Sequence, residues 1–504
     1  MTTHITDLPP EVLELIGAFL SNRVILNATL ACRHFHRHLS SFLWKHVAAS
    51  VARRNVDVDN LRVHSKWVRS LRYVDYEGQL PLDYYDISFP TLSVLELGSR
   101  SLKVSGPGPS AEEYTANWTR LIRLNPTVRD LSLTFPTDFA QVHTELFETI
   151  MASLYRPRRL QVDCTGSCEV PYSVQQSLWR VVSCFEEVEF ASYDQARQGA
   201  SLDVDLSRIK RLTYLPFNND GVVDYDLKVL TACRGLTRLR WGNDFGQISV
   251  ATFVGYLKHS TWPQLDDLAL ESVRQSDKEF AHVMGLVPPL KHLRLEGKNF
   301  GPLCFNQLQK RHFTTLRALH MELCHSLTSR MALDILLNCQ HLEEFSARFI
   351  SQDDLLATPQ PWVCLGLRCL KCAFIGNTDE LDSDELDSDD NNNNWQTFEH
   401  LSKLRYLEKI DLRWQDTPGS HSYHIVSGVL QWRLGYGLER LATLRRLRTI
   451  RFDTKAQNLG WEDVQFMLVH LTSLEKVFGG LSRHWKFEVE LSMLLRVRGV
   501  FHES

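Results

Sequence analysis

The chain has 504 residues, a hydrophobic content of 43% and a formal net charge of −4. That length fits two to four ordinary domains or one long repeat array, and the apolar content is that of a folded protein. The near-balanced charge excludes a general affinity for nucleic acid or for an anionic membrane.

Residues 1–47 carry three short helical patterns, "LPPEVLELIGAFL", "VILNATLACRHFHRHL" and "SFLWKHV". Pro9 and Pro10 stand at a helix start, where a missing N–H costs nothing. Asp7 is positioned to cap that helix, and Glu11 lies near its positive end. Val12, Leu15, Ile16, Phe19 and Leu20 recur at helical spacing. Val24, Leu26, Leu30, Phe35 and Leu39 form a second apolar set, and Phe42, Leu43 and Trp44 a third. About 40 residues cannot bury enough surface to be stable alone. So much apolar content predicts a partner surface, supplied by the rest of the chain or by another protein. With its Leu-Pro opening, its Cys32-Arg33 pair and its closing Trp44, the segment from Leu8 to Val47 resembles an F-box. The resemblance implies docking onto the Skp-family adaptor of a cullin–RING ubiquitin ligase through Leu8, Pro9, Ile16, Leu20, Leu26, Leu30, Cys32 and Trp44. His34-Phe35-His36 departs from the family pattern, which more often has charged residues and a second Trp there. The other reading of the segment is a helical cap on the repeats that follow.

Residues 48–65 read as a linker or cap. From about residue 66 a short motif, apolar-x-x-apolar-x-apolar, recurs. Clear copies start at residues 92, 128, 236, 265, 290, 316, 342, 367, 407 and 447. Weaker ones start at Val68, Phe185, Ile209 and Leu474, and a degenerate "RRLQV" lies near residue 160. Between residues 185 and 367 the starts are 24 to 29 residues apart. Each motif predicts a short strand. The intervening "QVHTELFETIMASL", "TSRMALDILLNC" and "WEDVQFMLVHL" carry helical periodicity. One strand–helix unit cannot bury its own apolar face, so neighbours must stack. Period and pattern resemble leucine-rich repeats. The copy at 316 sets Cys324 where such repeats carry Asn or Cys, and so resembles the subtype common in F-box proteins. The implied fold is α/β. A three-helix F-box precedes a leucine-rich-repeat solenoid of some fifteen units over residues 66–485, a curved parallel sheet with helices on its convex side. A C-terminal cap at 486–504 closes it.

Two insertions interrupt the array. Residues 377–394 hold eight carboxylates and no core-forming aromatic, which predicts a disordered acidic loop. A solvated loop, a lure for basic partners and a modification site at Ser383 or Ser388 are the open readings. "WQDTPGSHSYH" from residue 414 brings Pro-Gly turn chemistry.

Within each motif, residues flanking the second and third apolar positions face the inner arc. That column reading brings together Arg238, Arg240, Asp267, Glu271, His292, Arg294, Glu296, His320 and Glu322. Glu344, Arg348, Lys371, Asp411, Arg413 and Arg451 continue the series. Glu271, Glu296 and Glu322 fall in one column of three successive repeats. Like charges on adjacent strands are unfavourable, so the row serves a basic ligand or is neutralised by Arg294, His292 and Arg348. Arg240, Glu271, Arg294, Glu296, His320 and Glu322 are the expected contacts to a protein substrate.

The sequence has no Gly-rich phosphate loop and no nucleophile-elbow pattern. Cys369 and Cys372, three apart on a strand, face opposite sides, so no shared metal and no cofactor are expected. The opening "MTTHITDLPPE" lacks a leader pattern, and no apolar run approaches the roughly 18 residues of a membrane span. Eleven scattered cysteines fit a reducing compartment, the cytoplasm or nucleus. The expected function is a non-catalytic substrate receptor bridging the adaptor to a protein substrate on the concave face. Its rivals are a non-ligase scaffold and an enzyme with a site between repeats.

Overall fold

A computed structural model describes residues 8–49, 56–75, 81–99, 111–135, 144–164, 172–193, 204–216, 223–242, 262–273, 276–297, 299–376, 392–413, 430–452, 457–482 and 484–503. The chain divides into two compact units, Met1–Leu236 and Thr237–Ser504.

The first unit opens with helices α1 (Pro10–Phe19), α2 (Asn22–Ala31) and α3 (Arg33–Trp44). Strands β1 (His46–Ala49), β2 (Ser70–Asp75), β3 (Val94–Ser99), β4 (Asp130–Phe135), β5 (Arg159–Cys164), β6 (Glu187–Tyr193) and β7 (Arg211–Pro216) follow. Between them lie α4 (Val58–His64), α5 (Ala111–Leu124), α6 (Thr144–Ser153) and α7 (Tyr172–Val182), with α8 (Val223–Ala232) after β7. Each strand pairs in parallel with its sequence neighbour. The register aligns Val47, Leu71, Leu95, Leu131, Leu160, Val188 and Leu212 in one buried row.

The second unit repeats the plan with β8 (Arg238–Trp241), β9 (Asp267–Val273), β10 (His292–Gly297), β11 (Ala318–His320) and β12 (Glu344–Ser351). It continues through β13 (Cys369–Ile375), β14 (Lys409–Asp411), β15 (Thr449–Arg451), β16 (Lys476–Phe478) and β17 (Phe501–Glu503). Its helices are α9 (Asp277–Leu286), α10 (Pro302–Arg311), α11 (Ser329–Asn338), α12 (Gln352–Leu356), α13 (Asn392–Ser402), α14 (Trp461–His470) and α15 (Trp485–Val497). The parallel register again forms an apolar row: Leu239, Leu268, Leu293, Leu319, Phe345, Leu370, Ile410, Ile450 and Val477. All are buried, and each such side chain contributes roughly 1.5–3 kcal/mol. The alternate residues face away from this core and form the open face of the strands.

Fourteen of the fifteen predicted motif starts precede a strand by two residues, and "RRLQV" contains the start of β5. β1 and β17 carry no such motif, so the strands begin within the expected 1–47 span and end within the expected 486–504 cap. Pro9, not Asp7, occupies the N-cap position of α1, and Asp7 lies outside the described residues. Helix α13 starts at Asn392, so the last three asparagines of the 377–394 span are helical. Residues 377–391 and 414–429 lie outside the described residues.

Polar groups fix the stacking of one repeat on the next. The residue before most strands donates its N–H to the matching carbonyl of the previous repeat, as from Lys291 to Asp266 and from Glu408 to Arg368. Several of these same residues pair by charge: Lys291 Nζ lies 2.9 Å from Asp266, Arg317 3.1 Å from Glu343 and Arg368 2.7 Å from Glu408. Such exposed pairs add little stability. Asp277 accepts hydrogen bonds from the N–H groups of Gly301, Leu303 and Cys304 at 3.0, 2.9 and 2.9 Å, capping α10 from the preceding repeat. A Cβ at residue 301 would lie 2.6 Å from Asp277 Oδ2, which is why glycine stands there.

His312 is a second clamp. Its Nδ1 accepts the Leu290 N–H at 3.2 Å, leaving Nε2–H to donate to the Met284 carbonyl at 3.3 Å. Burial holds its pKa at about 4. Cys324 Sγ–H donates to the Leu295 carbonyl at 3.3 Å, and burial pushes that thiol up to about 12. Its position in the motif thus satisfies a backbone acceptor of the repeat before it.

Candidate protein-binding surfaces

The N-terminal helices pack through a small interior. Leu13 and Gly17 of α1, Ile25 and Thr29 of α2, and Leu39 and Ser40 of α3 are buried. A Cβ at Gly17 would lie 2.9 Å from the Phe42 ring, so α1 and α3 approach closely there. Ser21 caps α2 by accepting the Val24 N–H, and Cys32 caps α3 by accepting the Phe35 N–H on its sulfur at 3.4 Å. With the interior thus filled, several of the remaining apolar residues turn outward. Val12, Leu15 and Phe19 form one stripe on α1, and Leu26 and Leu30 another on α2. Phe19 is 88% and Leu30 77% exposed, far more than such side chains are when a fold covers them.

The expected adaptor contacts divide accordingly. Pro9, Leu26 and Leu30 are exposed, whereas Leu8, Ile16, Leu20, Cys32 and Trp44 are half-buried. Trp44 stacks on His64 at 4.3 Å between ring centroids, and His64 on Trp67 at 5.1 Å. This aromatic stack ties α3 to the residues leading into β2. Burial, with His36 and Lys66 adding to it, lowers the His64 pKa. Leu15 and Phe19 were legible as apolar helix positions but not as the most outward ones.

On the open face of the second unit the expected contact residues do come together. Glu271 pairs with Arg240 at 2.6 Å across adjacent strands, and Glu296 with Arg294 at 2.7 Å within β10. Glu322, in the turn after β11, reaches Lys371 at 3.2 Å. The three carboxylate side chains are only 18%, 21% and 11% exposed. Burial would lower the Arg294 pKa, yet Glu296, Glu322 and Glu271 together raise it. Burial would raise Glu322, but Lys371 and His320 hold it below its ordinary value. His320 is lowered by burial against the pull of Glu322 and Glu344, and its Nδ1 lies 2.9 Å from Ser346 Oγ. Farther along, Asp411, 2% exposed, takes two bonds from Arg413 at 3.0 Å and faces Arg451 at 3.8 Å. Arg451 also lies over the Phe478 ring at 4.5 Å. The first unit shows the same habit in Arg72–Glu96 and Arg159–Glu189 pairs at 2.9 and 2.8 Å. The open face therefore carries ion pairs both along and across strands, with each of the three Glu residues matched to a cation.

Cys372 is buried and Cys369 half-buried on the open side, with Lys409 and Glu344 as its strand neighbours. No described helix is long and apolar enough to cross a membrane. A family model described as F-box-like matches residues 5–50, and the chain carries an F-box-like domain there. No curated protein matches the chain.

Proposed function

From an F-box-like domain followed by stacked strand–helix repeats, we propose that the chain is the substrate-recognition subunit of a cullin–RING ubiquitin ligase. The N-terminal helices dock on a Skp-family adaptor, and the repeats, read as leucine-rich repeats, hold a protein substrate on their open face. The chain supplies no catalytic group. Ubiquitin transfer belongs to partner subunits, and holding the target near them raises its effective concentration. The observation that carries this reading is the outward apolar surface of Leu15, Phe19, Leu26 and Leu30, which nothing in the described residues covers. The buried core of a protein–protein interface is made of such apolar and aromatic side chains.

The test is binding of the full chain to a purified Skp-family adaptor. Phe19→Asp and Leu30→Asp should each weaken it by about 2–4 kcal/mol with an unchanged circular dichroism spectrum. Both sites are exposed, so the fold survives; retained affinity in both variants overturns the reading. Co-purification of a cullin with the wild-type complex separates a ligase subunit from a scaffold that binds the adaptor alone. For the substrate, the six open-face residues Arg240, Glu271, Arg294, Glu296, His320 and Glu322 remain the proposed contacts. Their pre-formed pairs make the surface suited to a segment carrying both charges.

A further inference from the structure

Helix α15 and strand β17 present an unusual surface. Helix α15 buries Leu491 and Leu495 against its own unit. On its other side Trp485, Val489, Met493 and Val497 recur every four residues and are exposed, Trp485 by 72% and Val497 by 83%. Strand β17, which follows the helix, pairs with β16 and, among the described residues, with no other. A contiguous apolar ridge left in water marks an interaction surface. Glu490 and Arg496 flank the ridge, three residues to either side of Met493.

We propose that this face docks a second copy of the chain, α15 crossing its two-fold mate in antiparallel orientation. A ridge of residues four apart is the element that interdigitates with an identical ridge at about −50°. Centring the crossing on Met493 brings Val489 against Val497 of the partner subunit. It also sets Glu490 opposite Arg496 of the partner subunit, a pair made twice by symmetry. Parallel helices would instead juxtapose like charges at both positions, so the charge pattern selects the antiparallel arrangement. The exposed parts of the four ridge residues amount to about 500 Å² per chain, and about 1,000 Å² for the pair reaches the lower limit of a specific interface.

Sedimentation equilibrium of the full chain tests this. Mass should rise with concentration from 58.2 kDa to twice that value, with a dissociation constant in the micromolar range. Met493→Glu should weaken the dimer about a hundredfold. Glu490→Arg and Arg496→Glu should each weaken it about tenfold, and the double variant should recover wild-type association. Phe19→Asp, which alters the other apolar surface, should leave the dimer intact. A monomer at every concentration, an association abolished by Phe19→Asp rather than Met493→Glu, or a charge swap without recovery overturns the proposal.

Discussion

Mild acid should loosen the second unit through His312. Folded, its Nδ1 must stay unprotonated to accept the Leu290 N–H, and burial keeps the pKa at about 4 against an ordinary 6.5. Unfolded, the same imidazole takes up a proton as pH drops below 6.5. A depressed folded pKa means that the unfolded chain binds more protons between the two values. The stability is therefore fully present above pH 6.5 and is lost as pH falls towards 4. At about 1.4 kcal/mol per unit the whole effect is about 3 kcal/mol, of which about 2 kcal/mol is gone by pH 5. His400, buried against Trp362 and also held at about 4, adds a loss of the same sign. The assay is urea unfolding at pH 7.5 and pH 5 for wild type and His312→Gln. The amide keeps a donor but cannot titrate. The variant is less stable at neutral pH, yet its drop between the two pH values should be smaller by about 2 kcal/mol. An equal drop in both proteins, or a His312 resonance titrating near its ordinary value, would refute the argument.

Three further outcomes follow from the packing. Asp277→Ala strips three backbone donors of their acceptor and should cost about 2 kcal/mol. Gly301→Ala, which drives a methyl into that same carboxylate, should cost a similar amount, and the double variant less than the sum; thermal midpoints read all three. Asp411→Ala leaves Arg413 and Arg451 facing an emptied buried site and should destabilise by about 3 kcal/mol in denaturant titration, while an effect under about 1 kcal/mol would contradict the pairing. On the open face, replacing Glu271, Glu296 and Glu322 together by Gln removes charge without setting lysines against Arg240, Arg294 and Lys371. Affinity capture should lose partners, whereas adaptor binding should be unchanged; an identical partner set returns these residues to a purely structural role.

The strands were legible because their signal is repeated. Any one apolar-x-x-apolar-x-apolar motif is weak, but many copies at recurring intervals and stacked registers leave little freedom in where each strand starts. β1 and β17 escaped because end strands need no full motif: Val47 and His502 each occupy a single row position. His502 even carries that row into polar territory, bonded to Ser492 and the Gly479 carbonyl. The N-terminal helices were legible as amphipathic, but their outward residues were not. Leu15, Ile16, Phe19 and Leu20 all obey helical spacing, and only the close approach of α3 at Gly17 decides which of them turn away. Neither did the columns reveal that Arg294 pairs along its own strand with Glu296, because side-chain direction within a column depends on neighbours that spacing does not encode.

The junction between α3 and β1 bears on reach rather than on stability. Only Lys45 separates the last residue of the helix from the first of the strand. Its carbonyl accepts the N–H groups of both Arg69 and Ser70, while Trp44 is wedged against His64. There is no tether at this point to swing. A body seated on the three helices would be carried at a set distance and angle from the first strands, as on a bracket rather than a leash. Any freedom needed to bring different lysines of a captured protein to a distant reactive centre must then come from the captured protein itself, or from parts of the assembly beyond this joint.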